Sequence, residues 1–346
     1  MEAARSTGVL VRRLSYLAVC GLALVACSTN DGAGESSGDG GDSLARNPDG
    51  YPSRPIVLRL PAPGSQTEAL GRAVAVGMST RSPVQVRVDP LPNGGTDDAA
   101  SSVVRDARTE NGEVVGLITN SSVVSTALGS APFTFEDMEG VATIATQPLA
   151  LAVRADSPYK TFGDFVAAAR SDATRIRVGL SGTAGGLIHI AAIQIGEAVD
   201  ARGDLAIIPH KTAGESVLTL LGGGVDAAVG IASGFQEQAK ANQVRVLAST
   251  GGERTEALAD IQTIKEAGYD LVIVNQMNVI TGSKVPDDKV RWLSSLFEAT
   301  SQLAEVKAEM VKLGWTPTYV NAPDTQAGMR STFDDARTLG QELGLI

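Results

Sequence analysis

From Pro55 onward, short runs rich in β-branched residues alternate with longer amphipathic or alanine-rich runs. The short runs suit strands buried on both faces, and the long ones suit helices laid across them. Residues 55–60, 84–88 and 114–118 read as strands, and 67–78, 96–109 and 121–128 as helices. A βαβα order of this kind predicts a mostly parallel sheet covered on both sides. Two successive strands then break the rhythm, at 141–145 and 149–153, and the chain is expected to cross there into a second lobe.

Beyond the crossing the rhythm resumes. Thr161, followed three residues later by Asp164, has the form of a capping box opening a helix to Arg170. Strands are expected at 176–180, 205–208, 225–231 and 244–248, with helices at 186–199, 214–221 and 233–241. Extended runs at 271–274 and 279–280 could carry the chain back. Helices at 287–300 and 302–313, a strand at 315–320 and a helix at 323–343 complete the pattern. Residues 51–147 with 275–346 therefore form one lobe and 148–274 the other. A cleft between two lobes is where small ligands bind.

The first 26 residues read as an address. Arg5, Arg12 and Arg13 make a basic start, and the apolar run from Leu14 to Ala26 is short for a membrane span. It ends in Leu24-Val25-Ala26-Cys27, which has the form of a bacterial lipobox. Cleavage before Cys27 and diacylation of its thiol would anchor the chain on the outer face of the cell membrane, two acyl chains sufficing for stable attachment. Residues 27–50, mostly Gly, Ser and Asp, bury almost nothing and read as a flexible tether with a reach on the order of 25 Å. The other cysteine, Cys20, lies in the segment to be removed, so no disulfide is expected.

A net charge of −10 leaves no basic stripe to neutralise phosphates, which argues against nucleic-acid binding. Catalysis is poorly supported. There are two histidines, no nucleophile elbow is complete, and no His, Asp or Glu grouping has metal-ligand spacing. His189 reads as a packed or capping histidine, and His210 as the end of a strand. No cofactor is called for, and a monomer is expected.

Three turns follow strands, are rich in small residues and open helices: 61–67, 92–96 and 181–186. Backbone N–H groups there can converge on an anion, helped by the partial positive charge of a helix N-terminus. The first and third of these turns supply the candidate ligand residues Gly64, Ser65, Gln66, Thr67, Ser181, Thr183, Ala184, Gly185 and Gly186. The turn at 92–96 reads as structural. Asn120 follows a strand end where open sheets meet ligands, and it either contacts ligand or caps the next helix. Ser233 and Gly234 share that ambiguity. Asn275, on the returning strand, completes the set.

Several segments resemble the extracytoplasmic receptors of tripartite tricarboxylate transporters. They are Tyr51-Pro52-Ser53-Arg54-Pro55-Ile56, the loop from Ala62 to Arg72, Ser157 to Phe165, Ser181 to Gly186 with His189, Leu221 to Asp226, and Val244 to Ala248. The resemblance implies a type II periplasmic binding protein-like α/β fold with two lobes and a closing ligand cleft. It also implies a small carboxylate ligand, held by backbone and hydroxyl groups and passed to membrane permease subunits. A sensor presenting its closed form to a membrane signalling kinase would need the same parts. Departures fall in the site. Ser65-Gln66-Thr67-Glu68 stands where relatives carry a Gly-Gly-Gly-Trp-Asp-like run. Ile188 precedes the histidine where an Asp is common. Asn275-Gln276-Met277-Asn278 replaces Asn-Trp-Arg-Gly, so an arginine suited to bidentate carboxylate contact is absent.

Overall fold

A computed structural model describes residues 44, 47–48, 50–171, 175–182, 185–201 and 205–346, leaving aside the side chains of 107–110. These residues belong to one compact unit, Asp42–Ile346. In chain order the first elements are β1 (Ile56–Leu60), α1 (Gln66–Ser79), β2 (Val86–Pro90), α2 (Thr96–Glu110), β3 (Val114–Thr119) and α3 (Asn120–Ala127). Then come β4 (Met138–Arg154), α4 (Phe162–Ala169), β5 (Ile176–Ser181), α5 (Leu187–Ala198), β6 (Leu205–His210), α6 (Ala213–Leu221) and β7 (Ala227–Ile231). The remainder is α7 (Gln236–Lys240), β8 (Val244–Ser249), β9 (Val274–Gly282), α8 (Asp287–Ser301), α9 (Ala304–Lys312), β10 (Thr316–Val320) and α10 (Ala322–Glu342).

The local chemistry explains many of these boundaries. Ser65, Thr161, Thr212 and Asn321 each accept a backbone N–H with a side-chain oxygen at the start of α1, α4, α6 and α10. The Thr161–Asp164 capping box is present as expected, and its backbone hydrogen bonds hold the Asp164 carboxyl below its usual pKa. Helix 233–241 is corrected. Residues Ala232–Phe235 form a 3₁₀ turn and only Gln236–Lys240 are α-helical.

The strand order is β2-β1-β3-β9-β4-β7-β5-β6, with β10 and β8 also pairing with β4. Parallel pairing holds within β2-β1-β3 and within β6-β5-β7. β4 and β9 run antiparallel to their neighbours, so the sheet is mixed rather than mostly parallel. The two strands expected at 141–145 and 149–153 are one strand of 17 residues. Its first part pairs with β9 as far as Pro148↔Val274, and its second pairs with β7 and β8 from Leu149 and Ala150. The chain thus crosses within a continuous strand, and the change of partners falls at Pro148–Leu149.

Each half packs its own core. Leu58, Leu60, Leu70, Met78, Met277, Trp292 and Phe297 belong to one cluster, and Phe162, Phe165, Val178, Leu180 and Val229 to another. Side chains of this size contribute roughly 1.5–3 kcal/mol each on full burial. α1 lies so close on β1 that a Cβ at Gly71 would overlap the side chain of Leu60. A third cluster joins Ile190 and Ile193 of α5 to Val123, Val124 and Ala127 of α3 and to Phe333 and Leu339 of α10. This apolar seam ties the two halves together beside the crossing strands.

Candidate functional site

The carboxyl ends of β3 and β7 approach the crossing from opposite sides. Thr119 pairs with Met277, two residues from Asn275, and Ile231 pairs with Leu149. Ligands of open α/β sheets bind outside such strand ends, at the point where the order reverses. Beside the crossing lies an open groove of about 1180 Å³. Its lining brings Gln66 together with Ser233 and Gly234, and with Leu313 and Gly314 from the turn before β10. Three of the expected site residues therefore share one surface.

In the first loop, Gly64 has φ +89 and no atom within 4 Å of an added Cβ. Its N–H points to Glu68 Oε2 at 3.4 Å, and Ser65 Oγ accepts from Glu68 N at 3.1 Å. Glu68 is buried and ion-paired with Arg72. The α1 N-terminus thus already serves one carboxylate of the protein itself. Helix geometry leaves the amides of Gln66 and Thr67 without partners inside the helix. That of Gln66, which lines the groove, can donate to an oxygen there.

Asn120 does not cap α3. Thr119 is the N-cap of α3, and the Asn120 side chain faces β9 instead. Its Nδ2 donates to Val274 O at 3.4 Å, and its Oδ1 accepts from Asn278 Nδ2 at 3.0 Å. Asn278 Oδ1 in turn accepts from Thr143 Oγ1 at 2.7 Å, and Thr143 meets Thr325 Oγ1 at 3.2 Å. A buried polar chain therefore links the starts of α3 and α10 through both crossing strands.

The second loop is more closed than its glycines suggest. Ser181 pairs in register with His210, and Gly182 N donates to His210 O at 2.8 Å. Gly185 has φ +83, and an added Cβ would meet Leu128 Cδ1 at 2.8 Å. Its N–H is taken by His189 Nδ1 at 2.7 Å, so it is not free for a ligand. Burial lowers the His189 pKa, which keeps that nitrogen an acceptor. Gly186 is the N-cap of α5. Thr183, Ala184 and Cys27 lie outside the described residues.

Asn275 lies opposite Gln147 in the crossing pair and is 8% exposed, its Oδ1 buried without a partner. Gln147 Nε2 donates to Gly314 O at 3.1 Å, and an added Cβ on Gly314 would meet Ser233 Cβ at 2.9 Å. Neither Gln147 nor Gly314 was among the site residues expected from the sequence. Their only signals were a polar residue in an apolar strand and a Lys-Leu-Gly-Trp turn. No grouping of His, Cys, Asp or Glu suited to a metal occurs among the described residues.

Fold and site together define a solute-binding receptor of the two-half, crossing-strand type. Residues 70–345 match the tripartite tricarboxylate transporter family receptor, TctC, and the chain belongs to that family. It is a receptor of the extracytoplasmic kind and not an enzyme. A UPF0065 protein of Agrobacterium vitis, from the TAR-I ttuE-ttuC' intergenic region, is 29% identical over 65% of this chain, which spans 64% of that relative. A TctC solute-binding protein from Polaromonas, solved without ligand, is 25% identical with a TM-score of 0.75, covering 84% of this chain and 99% of its own. A protein of R. palustris solved with adipate shares the fold at 20% identity and a TM-score of 0.65, covering 85% of this chain and 98% of its own.

Proposed function

We propose that this receptor captures a small carboxylate between the halves 51–147 with 275–346 and 148–274, and delivers it to the permease subunits of a tripartite tricarboxylate-type transporter. The observation that carries this reading is the groove where the α1 N-terminus, at Gln66, meets Ser233 and Gly234 beside the crossing strands. The backbone amide of Gln66 and the hydroxyl of Ser233 supply donors for a carboxylate, and Lys240, Arg245 and Lys312 also line the groove. Ser181 and the N-terminus of α5, in the half that also carries Ser233, offer further donors. The adipate bound by the R. palustris relative supports the ligand class. Closure bends β4 and β9 near Gln147 and Val274. Diacylation at Cys27 and the 27–50 tether keep the receptor at the outer face of the membrane.

Gly234 offers a direct test, because a Cβ there meets nothing within 4 Å. Gly234→Leu is expected to fold normally and to lose carboxylate binding by calorimetry. Unchanged affinity in a normally folded Gly234→Leu protein would remove the groove from the site.

A further inference from the structure

The turn after α10 reaches across to the second candidate loop. Leu343 is the C-cap of that helix, and Gly344 follows with φ +67. Gly344 N donates to Gln341 O at 3.1 Å and Leu345 N to Gly340 O at 2.8 Å. These two bonds make a Schellman turn, in which the residue after the glycine often packs on a side chain of the last helical turn. Here the residue that accepts from Leu345 is Gly340, which offers no side chain. An added Cβ on Gly340 would meet Leu128 Cδ2 and Ile346 Cγ1. One on Gly185 would meet Leu128 Cδ1 and, at 3.3 Å, Leu345 Cδ1. Leu345 therefore lies against Gly185, in the other half of the molecule. It is 42% exposed, so its side chain adds little to the core.

Gly185, at φ +83, and Gly186, the N-cap of α5, are adjacent glycines at the start of that helix. Glycine loses more backbone freedom on ordering than any other residue, so neighbouring contacts decide how firmly such a turn is held. His189 Nδ1 holds Gly185 N from within the same half. Leu128 and Leu345 hold it from the other. We propose that Leu345 is a positioning residue for the ligand site. It holds Gly185, and with it the α5 N-terminus, in the geometry that meets a carboxylate. The effect on ligand rests on the carboxylate reading, whereas the hold on Gly185 does not.

The test compares full-length wild type with Leu345→Ala, Leu345→Met and Ile346→Ala, since the backbone bonds of the turn need no side chain. If the ordered turn falls to about one fifth of the population in Leu345→Ala, the dissociation constant of adipate, read by calorimetry, rises about five-fold. Amide hydrogen exchange at Gly185 should quicken at least about five-fold in the same variant, while exchange from Ile193 onward in α5 stays at the wild-type rate. Leu345→Met keeps an apolar side chain of similar size and should restore both readings. Ile346→Ala removes a side chain that lies at Gly340 and should alter neither. Unchanged exchange at Gly185 in Leu345→Ala would overturn the proposal. So would wild-type adipate affinity in that variant, or an equal change in Ile346→Ala. Should wild type leave adipate unbound, the failure lies in the ligand assigned to the groove, and exchange at Gly185 alone supports or overturns the positioning role.

Discussion

Asn278 Nδ2 donates to Asn120 Oδ1 at 3.0 Å, joining residues 158 apart in the chain. The contact fixes the first residue of α3 against the returning strand, and Thr143 completes the arrangement from β4. Replacing Asn278 with Leu leaves Asn120 Oδ1 and Thr143 Oγ1 without this partner, both in buried surroundings. Each unsatisfied group costs about 1–3 kcal/mol. Thr143 keeps Thr325, so urea unfolding of Asn278→Leu should show a loss of about 1–3 kcal/mol. A loss below about 0.5 kcal/mol would mean that the polar chain contributes nothing to the fold.

Ser65 caps α1 through Glu68 N. Ser65→Ala is expected to cost about 1 kcal/mol in the same assay, the usual value for a lost N-cap. Retention of full stability would show that the Gly64–Glu68 contact holds the helix end alone.

Gly185 stands apart from Gly234. A side chain at Gly185 would need a left-handed backbone and would press on Leu128. Gly185→Val should thus lower the melting temperature, with a cost on the order of 1–3 kcal/mol from strain and overpacking. Any loss of ligand affinity in that variant is secondary to the altered loop. A variant as stable as the wild type would contradict the packing at Leu128.

His189 gives the loop a pH dependence. Burial lowers its pKa from the ordinary 6.5, and its neutral Nδ1 accepts the Gly185 N–H. Between the ordinary and the lowered value the unfolded chain binds more protons than the folded one, so stability rises with pH there. The contribution is present above pH 6.5 and is lost as pH falls through the lowered value. Against wild type, His189→Asn should lose stability at pH 7.5 and show a flatter dependence between pH 5 and 7. Parallel curves for the two proteins would rule out His189 as the titrating group.

The element order was legible because its causes are local. β-branched runs such as Val114–Ile118 and capped helices such as that opened by Thr161 carry their own signals. The continuity of β4 was not legible, because Thr146-Gln147-Pro148 interrupts the apolar run and proline ordinarily argues against a strand interior. Pro148 is tolerated where pairing passes from β9 to β7 and β8. Gln66, Ser233 and Gly234, in turns that follow strands, line one groove as their place in the topology led one to expect. The commitments of Asn120 to Asn278 and of Gly185 to His189 and Leu128 were hidden. The first depends on contacts 154 and 158 residues away, and the second on the packing of α5 against α3.

The most direct test of the central claim is a thermal-shift series on the purified protein with mono-, di- and tricarboxylates, amino acids and aromatic acids. A ligand at one hundred times its dissociation constant stabilises the folded state by about 2.7 kcal/mol. A rise of several degrees with one carboxylate class, absent in Gly234→Leu, is the expected result. A folded protein whose melting temperature responds to no carboxylate at millimolar concentration would contradict the carboxylate-receptor account.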